Sequence, residues 1–231
     1  MVATELGGHH PHLSGHGRLA GVTDNAPSNQ PVEPGTWEKV VAANPQHAQN
    51  YAERFRRMEA EGADLLGEAR FVDAMVQRNA RILDAGCGPG RHAGYLSARG
   101  HDVVGVDLDE TLIEIAKVEH PGPTYFAQDL TLLDLAGHGV EAGFDAILCA
   151  GNAIAFPAAS SRRRILTNLA KALAPEGRAV FGFGQGRGYE FNDFITDAQA
   201  SGLVLELGLS TWDLKPFRED SNFLVAIFSR A

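Results

Sequence analysis

From Arg81 onward the chain repeats one pattern: a short apolar run, a polar or glycine-rich break, then apolar residues at helical spacing. "RILDAG" reads as a strand and Gly90 to Ala98 as a helix; "DVVGVD" is a second strand, followed by a helix over Glu110 to Val118 that Asp109 would start. "TYFAQD" is a third strand, and "FDAILCA" a fourth whose unbroken apolar run points to burial on both faces. In Ser161 to Leu173, Ile165, Leu166, Leu169 and Leu173 form an apolar stripe, so this segment reads as a helix; "RAVFGFG" then gives a fifth strand and Phe191 to Ala200 another helix. "LVLELGLST" and "SNFLVAIFS" close the chain as two strands with only a loop between them. Strand–helix alternation implies an α/β, Rossmann-like sheet, mostly parallel, with helices on both faces. The helix-free last connection implies an antiparallel hairpin at one edge.

Two helices are expected ahead of this core. In "NPQHAQNYAERFRRMEAEG" Asn44 is placed as N-cap, Pro45 as the first helical residue and Gly62 as the stop. A second helix covers Glu68 to Gln77, with Phe71, Met75 and Val76 on one side. Residues 1–35 are rich in Gly, His, Pro, Ser and Asn and lack either period, which reads as a disordered tail. The domain is therefore expected at 36–231, with a helical cap at about 36–78. His9, His10, His12 and His16 cluster in the tail without accompanying cysteines or carboxylates, so a solvated tail is expected rather than a metal site.

Composition narrows the class. The 231 residues suit one domain with a tail, and a formal net charge of −9 argues against bulk electrostatic coating of nucleic acid or anionic membrane. No run approaches the roughly 18–20 apolar residues of a membrane span, and no signal-like N-terminus is present, so a cytoplasmic protein is expected. Cys87 and Cys149 lack metal-ligand spacing and read as a reduced pair.

The chemistry centres on the turn after the first strand. Gly86, Gly88 and Gly90 let the backbone turn tightly and a ligand lie close, and the amides of the next helix would favour a carboxylate or phosphate. The dinucleotide spacing Gly-x-Gly-x-x-Gly is not met, because Arg91 stands at its third glycine, and no Gly-Lys-Ser/Thr ending marks a P-loop. Asp107, at the end of the second strand, can accept both ribose hydroxyls of an adenosine. Asp84, two residues before Gly86, would repel a pyrophosphate but suits an amino group. An adenosine carrying an amino group and a carboxylate but no phosphate is S-adenosylmethionine.

"LDAGCGPG", "VVGVDLD", "AQDL", "FDAILCAGN" and "LAPEGRAVFGFG", in that order, resemble the successive motifs of class I S-adenosylmethionine-dependent methyltransferases, over roughly Tyr51 to Arg230. The resemblance implies a seven-stranded sheet of order 3-2-1-4-5-7-6 with strand 7 antiparallel, S-adenosylmethionine as cofactor, and a set of ligands. Gly86, Cys87, Gly88 and Gly90 would form the floor beneath methionine and ribose, with Asp84 facing the amino group. Asp107 would hold the ribose hydroxyls and Leu108 would lie against the adenine. Gln128, Asp129 and Leu130 would surround the adenine, with Asp129 accepting from its amino group. Ala150, Gly151 and Asn152 would lie beside the sulfonium and the acceptor.

Methyl transfer from a sulfonium is an in-line displacement for which positioning can suffice, so no catalytic residue is assigned. The segment "AGNAIAFP" lacks the Asn/Asp-Pro-Pro-aromatic motif of adenine and amide methyltransferases, and no nucleic-acid module is evident; a small-molecule acceptor is expected. Tyr51, Arg54 and Phe55 on the N-terminal helix, Arg187 and Tyr189 after the fifth strand, and Trp212 and Arg218 by the hairpin are candidates for its side of the site. His92 is expected to bond nearby backbone, Cys87 to be chosen for its size, and Arg162, Arg163 and Arg164 to form a solvated face. The alternatives carried forward are a non-catalytic sensor of the methyl donor or its demethylated product, and a nicotinamide oxidoreductase.

Overall fold

The computed structural model describes residues 32–231. The expected tail and its histidines lie outside the described residues, apart from 32–35.

Three helices come first: α1 (Thr36–Ala43), α2 (His47–Ala60) and α3 (Gly67–Met75). The core follows as β1 (Arg81–Ala85), α4 (Arg91–Ala98), β2 (Asp102–Asp107), α5 (Glu110–Glu119), β3 (Thr124–Ala127), β4 (Phe144–Cys149), α6 (Ala159–Ala172), β5 (Leu173–Gly184), α7 (Phe191–Ala200), β6 (Leu203–Leu209) and β7 (Phe223–Arg230). The sheet order is β3-β2-β1-β4-β5-β7-β6. Strands β1 to β5 pair in parallel, and β7 is antiparallel to both β5 and β6. The expected order and the closing hairpin are both present.

Side chains of period two divide the core. Leu83, Ala85, Ile147 and Cys149 face one layer with Ile165, Leu166 and Leu169 of α6 and Phe194 of α7. Ile82, Ala146 and Leu148 face the other, with Val72 of α3, Leu96 of α4 and Ile113 of α5. Strand β4 is buried at every position but Asp145, as its apolar run implied. Cys149 belongs to the first layer and Cys87 to the second, and both thiols are free.

Two boundaries differ from the sequence reading. Asn44 does not cap α2 directly: it ends α1 and accepts the Gln46 N–H at 3.2 Å, so α2 begins two residues beyond Pro45. Strand β5 begins at Leu173 rather than Arg178, because α6 runs straight into it and Leu173 pairs with Phe144 ahead of a register shift. Asp109 starts α5 as expected, accepting the Thr111 and Leu112 N–H groups.

Candidate functional site

The strand order reverses between β1 and β4, so β1-β2-β3 run one way and β4-β5 the other. Crossover connections leave in opposite directions at such a point and open a crevice beyond the strands' carboxyl ends. A cavity of about 970 Å³ lies there. Its floor is Gly86, Cys87, Gly88 and Pro89 from the turn after β1. Asp107 and Leu108 border it after β2, Gln128 to Thr131 after β3, and Ala150, Gly151 and Ala153 after β4. Trp37 and Glu38 of α1 and Tyr51 and Phe55 of α2 form the opposite wall, and Phe156, Pro157 and Ser161 close the side beyond β4.

The floor needs glycine for two reasons. Gly86 and Gly90 have φ of +80° and +86°, a region L side chains rarely adopt. A Cβ on Gly86 would fall 2.5 Å from the Ala153 Cβ, and one on Gly90 2.7 Å from the Ala116 Cβ. The turn is tied to β2: the Gly86 and Cys87 N–H groups donate to the Val106 carbonyl at 2.7 and 3.0 Å, and the Gly88 N–H donates to Asp107 Oδ2 at 2.8 Å. Asp107 Oδ1 accepts the Asp109 N–H at 3.0 Å. Burial pushes the Asp107 carboxyl up to about 6, against the pull of those two N–H groups. Asp84 is 1% exposed, and its Oδ2 has no hydrogen-bond partner. Burial raises its pKa too, and the His92 and Arg91 charges oppose that rise. Burial also raises the Cys87 thiol, which makes it a small residue of the floor and not a nucleophile.

Of the other expected ligands, Leu108 is half-exposed at the cavity edge. Gln128 borders the cavity while its Oε1 accepts the Asp134 N–H at 2.9 Å, and Asp129 caps a short 3₁₀ turn by accepting the Thr131 N–H at 2.7 Å. Leu130 packs between the cavity and the core. Asp84 and Gly90 support the floor from beneath, outside the cavity lining. Asn152 is turned away. At φ +69° its Oδ1 accepts the Gly184 N–H at 2.8 Å and its own N–H donates to the Gly182 carbonyl, so it locks the end of β4 to β5.

The acceptor-side candidates divide in the same way. Tyr51 and Phe55 line the cavity. Arg54 does not; it is exposed, and its guanidinium lies 5.1 Å from both ring centroids. Arg187 is exposed and also outside the lining. Tyr189 is core: it is 3% exposed, its hydroxyl donates to Asp197 Oδ2 at 2.8 Å, and its ring stacks on Phe183. Trp212 packs on the sheet over Gly182 and against Phe71, and Arg218 is exposed outside the lining. Arg162 is not merely solvated, since it covers the Tyr189 ring at 4.2 Å and donates to Gly188 O. His92 does not bond backbone: it borders the cavity, and its Nε2 stands 3.6 Å from Glu68 Oε2.

The sequence reading missed Trp37, Glu38, Thr131 and Phe156. Trp37 sits on a helix too short to show a clear period. Its indole N–H donates to Asp109 Oδ2 at 3.0 Å, and its ring meets Tyr51 edge-on at 5.2 Å. The available signal was Glu38, three residues after Gly35. Its carboxylate accepts the Gly35 N–H at 3.0 Å, the return half of a capping box.

A family described as a methyltransferase domain matches residues 82–177. A solved TehB-like SAM-dependent methyltransferase from Corynebacterium glutamicum is 49% identical, with a TM-score of 0.78, and the match covers 81% of this chain and all of that one. The chain belongs to the S-adenosylmethionine-dependent methyltransferases. The methyltransferase therefore takes S-adenosylmethionine as its methyl donor, and the nicotinamide and sensor alternatives fall away. A malonyl-[acyl-carrier protein] O-methyltransferase from Pseudescherichia vulneris is 30% identical over 142 residues, 62% of this chain and 52% of that protein. The methyltransferase spans about half the length of the first curated relatives it matches. Magnesium protoporphyrin IX methyltransferase from Synechocystis, solved with bound SAM, shares the fold at TM-score 0.59 and 18% identity over 83% of this chain and 96% of its own. Among the described residues no helix is long and apolar enough to cross a membrane, and no cluster of metal-ligating side chains occurs.

Proposed function

We propose that the methyltransferase transfers the methyl group to a small-molecule acceptor held with the donor in the cavity at the β1/β4 switch point. The observation that carries this is the cavity itself. At about 970 Å³ it lies at the upper end of the roughly 300–1,000 Å³ of small-molecule sites, and an aromatic wall from α1 and α2 faces the glycine floor. A surface built for a folded protein or an RNA would be broader and open.

The residues suit the donor. Among the described residues, four buried side-chain polar atoms have no partner, and three of them belong to Asp84, His92 and Thr131, at or under the cavity. Unpaired buried polar groups are costly, and a polar ligand would satisfy them. In this reading Asp107 accepts the ribose hydroxyls. Asp129 and Thr131 meet the adenine, with Gln128, Leu108 and Leu130 around it, and Asp84 draws the amino group from below the floor. Gly86, Cys87, Gly88 and Gly90 give close approach, while Ala150 and Gly151 border the reacting end. Asn152 sets the position of that border without touching the ligand.

The donor supplies a methyl group already activated by positive sulfur. The chain's part is to fix that end, to align the acceptor between Phe156, Ser161 and the α1–α2 wall, and to exclude water. The buried, unpaired thiols of Cys87 and Cys149 support a reducing compartment, the cytoplasm.

Radiolabelled S-adenosylmethionine incubated with the protein and a cell extract, fractionated into metabolites, protein and RNA, tests the proposal. Label should enter the metabolite fraction; label confined to protein or RNA would overturn the small-molecule reading.

A further inference from the structure

One corner of the cavity has a charge that the roles above leave unused. Four carboxylates border the cavity, and each already accepts a hydrogen bond. Glu33 takes one from the Ser160 hydroxyl, Glu38 from the Gly35 N–H, Asp107 from the Gly88 and Asp109 N–H groups, and Asp129 from the Thr131 N–H. Against them stand two basic residues, Arg91 and His92, adjacent in the first turn of α4.

That placement is unfavourable unless something compensates. A cation at a helix N-terminus opposes the macrodipole. Here Arg91 and His92 are held from behind by one carboxylate on α3: Glu68 lies 3.8 Å from Arg91 Nη2 and 3.6 Å from His92 Nε2. Arg91 is held further by the Leu65 carbonyl and by the Phe55 ring, 4.7 Å from its guanidinium carbon. His92 is 5% exposed, and 3.6 Å is too long for a hydrogen bond, so its Nε2 stays unsatisfied. Asp84 faces the same corner from β1 with its own unpaired oxygen.

S-adenosylmethionine carries one anionic group, the carboxylate of its amino-acid end. We infer that Arg91 and His92 form the seat for that carboxylate, with the first-turn amides of α4 beside them and Glu68 as the positioning residue that holds both side chains. The inference rests on the proposed donor site and extends it. Asp84 then takes the ammonium of the same amino acid, so the zwitterion lies across a matching pair of opposite charges. A carboxylate here completes the turn electrostatically, because its charge suits both the helix end and the two basic side chains. The corner gives the site a means of rejecting adenosine thioethers that lack the amino acid.

The test is calorimetry with two probes, S-adenosylhomocysteine and its decarboxylated analogue, which differ only in the carboxylate. The wild-type chain should bind the first at least about tenfold more tightly. His92→Ala and Arg91→Met should each weaken S-adenosylhomocysteine by about tenfold, the size of a lost charge-assisted contact, and leave the analogue within about twofold. Glu68→Gln should produce a smaller loss with the same selectivity. His92→Gln keeps a donor and should recover part of the discrimination, and a thermal melt confirms the folding of each variant. Equal losses for both probes, or none for either, would overturn the inference while leaving the donor site standing. Failure of the wild-type chain to bind S-adenosylhomocysteine would overturn the site and the inference together.

Discussion

Gly90 is the position at which the donor floor depends most directly on the fold. It precedes α4 at φ +86°, with Ala116 of α5 directly behind it. In Gly90→Ala two costs arise together. An L residue in the left-handed region costs about 1–2 kcal/mol. The new Cβ would lie 2.7 Å from the Ala116 Cβ, 3.2 Å from its Cα and 2.8 Å from the Tyr125 hydroxyl, and overpacking of this kind costs about 1–3 kcal/mol. The expected loss is therefore about 2–5 kcal/mol, a large share of the roughly 5–15 kcal/mol that stabilises a typical domain. Urea unfolding followed by circular dichroism measures it. The two costs can be separated, because Ala116→Gly removes the obstructing methyl without changing φ at Gly90. In a double-mutant cycle Gly90→Ala and Ala116→Gly should couple favourably by about 1–2 kcal/mol, leaving the conformational cost in place. A single-variant loss below about 0.5 kcal/mol, or zero coupling, would refute the placement of this glycine.

Three further predictions concern other parts of the site. Asp107 has a folded pKa of about 6, above its unfolded 3.8, so the folded state binds more protons between those values. Ionising Asp107 thus costs stability as pH rises through that window, whereas ribose binding needs the ionised form. Affinity for S-adenosylhomocysteine should therefore fall as pH drops below about 6 and be flat in Asp107→Asn; calorimetry across pH checks this, and a wild-type profile flat through pH 6 would contradict it. Trp37→Phe loses a hydrogen bond to a carboxylate, worth about 1.5–3 kcal/mol when fully made, and should speed S-adenosylhomocysteine release in stopped-flow fluorescence; an unchanged off-rate would detach Trp37 from the site. Tyr189→Phe should cost about 1–2 kcal/mol of stability in thermal unfolding while leaving the KM for methyl donor unchanged, since Tyr189 is committed to Asp197 and the core; a raised KM would return it to the site.

The parts of this protein that were legible in its sequence are those where one local rule decides the outcome. Ile82, Leu83 and Ala85, and Ala146 to Cys149, are buried on both faces, and their apolar runs have no other good solution. Asp109 caps α5 through its own side chain, a contact within three residues. The glycine floor and Asp107 follow from strand ends and turn chemistry, and so they were found. The acceptor side was not legible in the same way. Tyr189, Arg187 and Asn152 follow strand ends just as the true floor residues do, and only packing shows that Tyr189 points into the core and that Asn152 bonds β5. Trp37 and Phe156 were missed for the converse reason. They lie 119 positions apart in the numbering, yet the Thr36 N–H donates to the Phe156 carbonyl at 2.7 Å, and no local pattern in either segment encodes that meeting. Gly86 belongs to both categories: its turn is local, but its intolerance of a Cβ comes from Ala153, far along the chain.

Asp109 divides its carboxylate between two tasks. One oxygen, Oδ1, ends α5 by accepting the Thr111 and Leu112 N–H groups, and the other, Oδ2, accepts the Trp37 indole N–H. The first helix is thus moored to a post that does not depend on it. When the indole lets go, the freed oxygen can be met by water while α5 keeps its cap, so the donor can exchange without any part of the sheet or its helices being rebuilt. Traffic through the site is in this way insulated from the stability of the scaffold, and a variant that loosens the mooring should turn over differently while melting at nearly the same temperature.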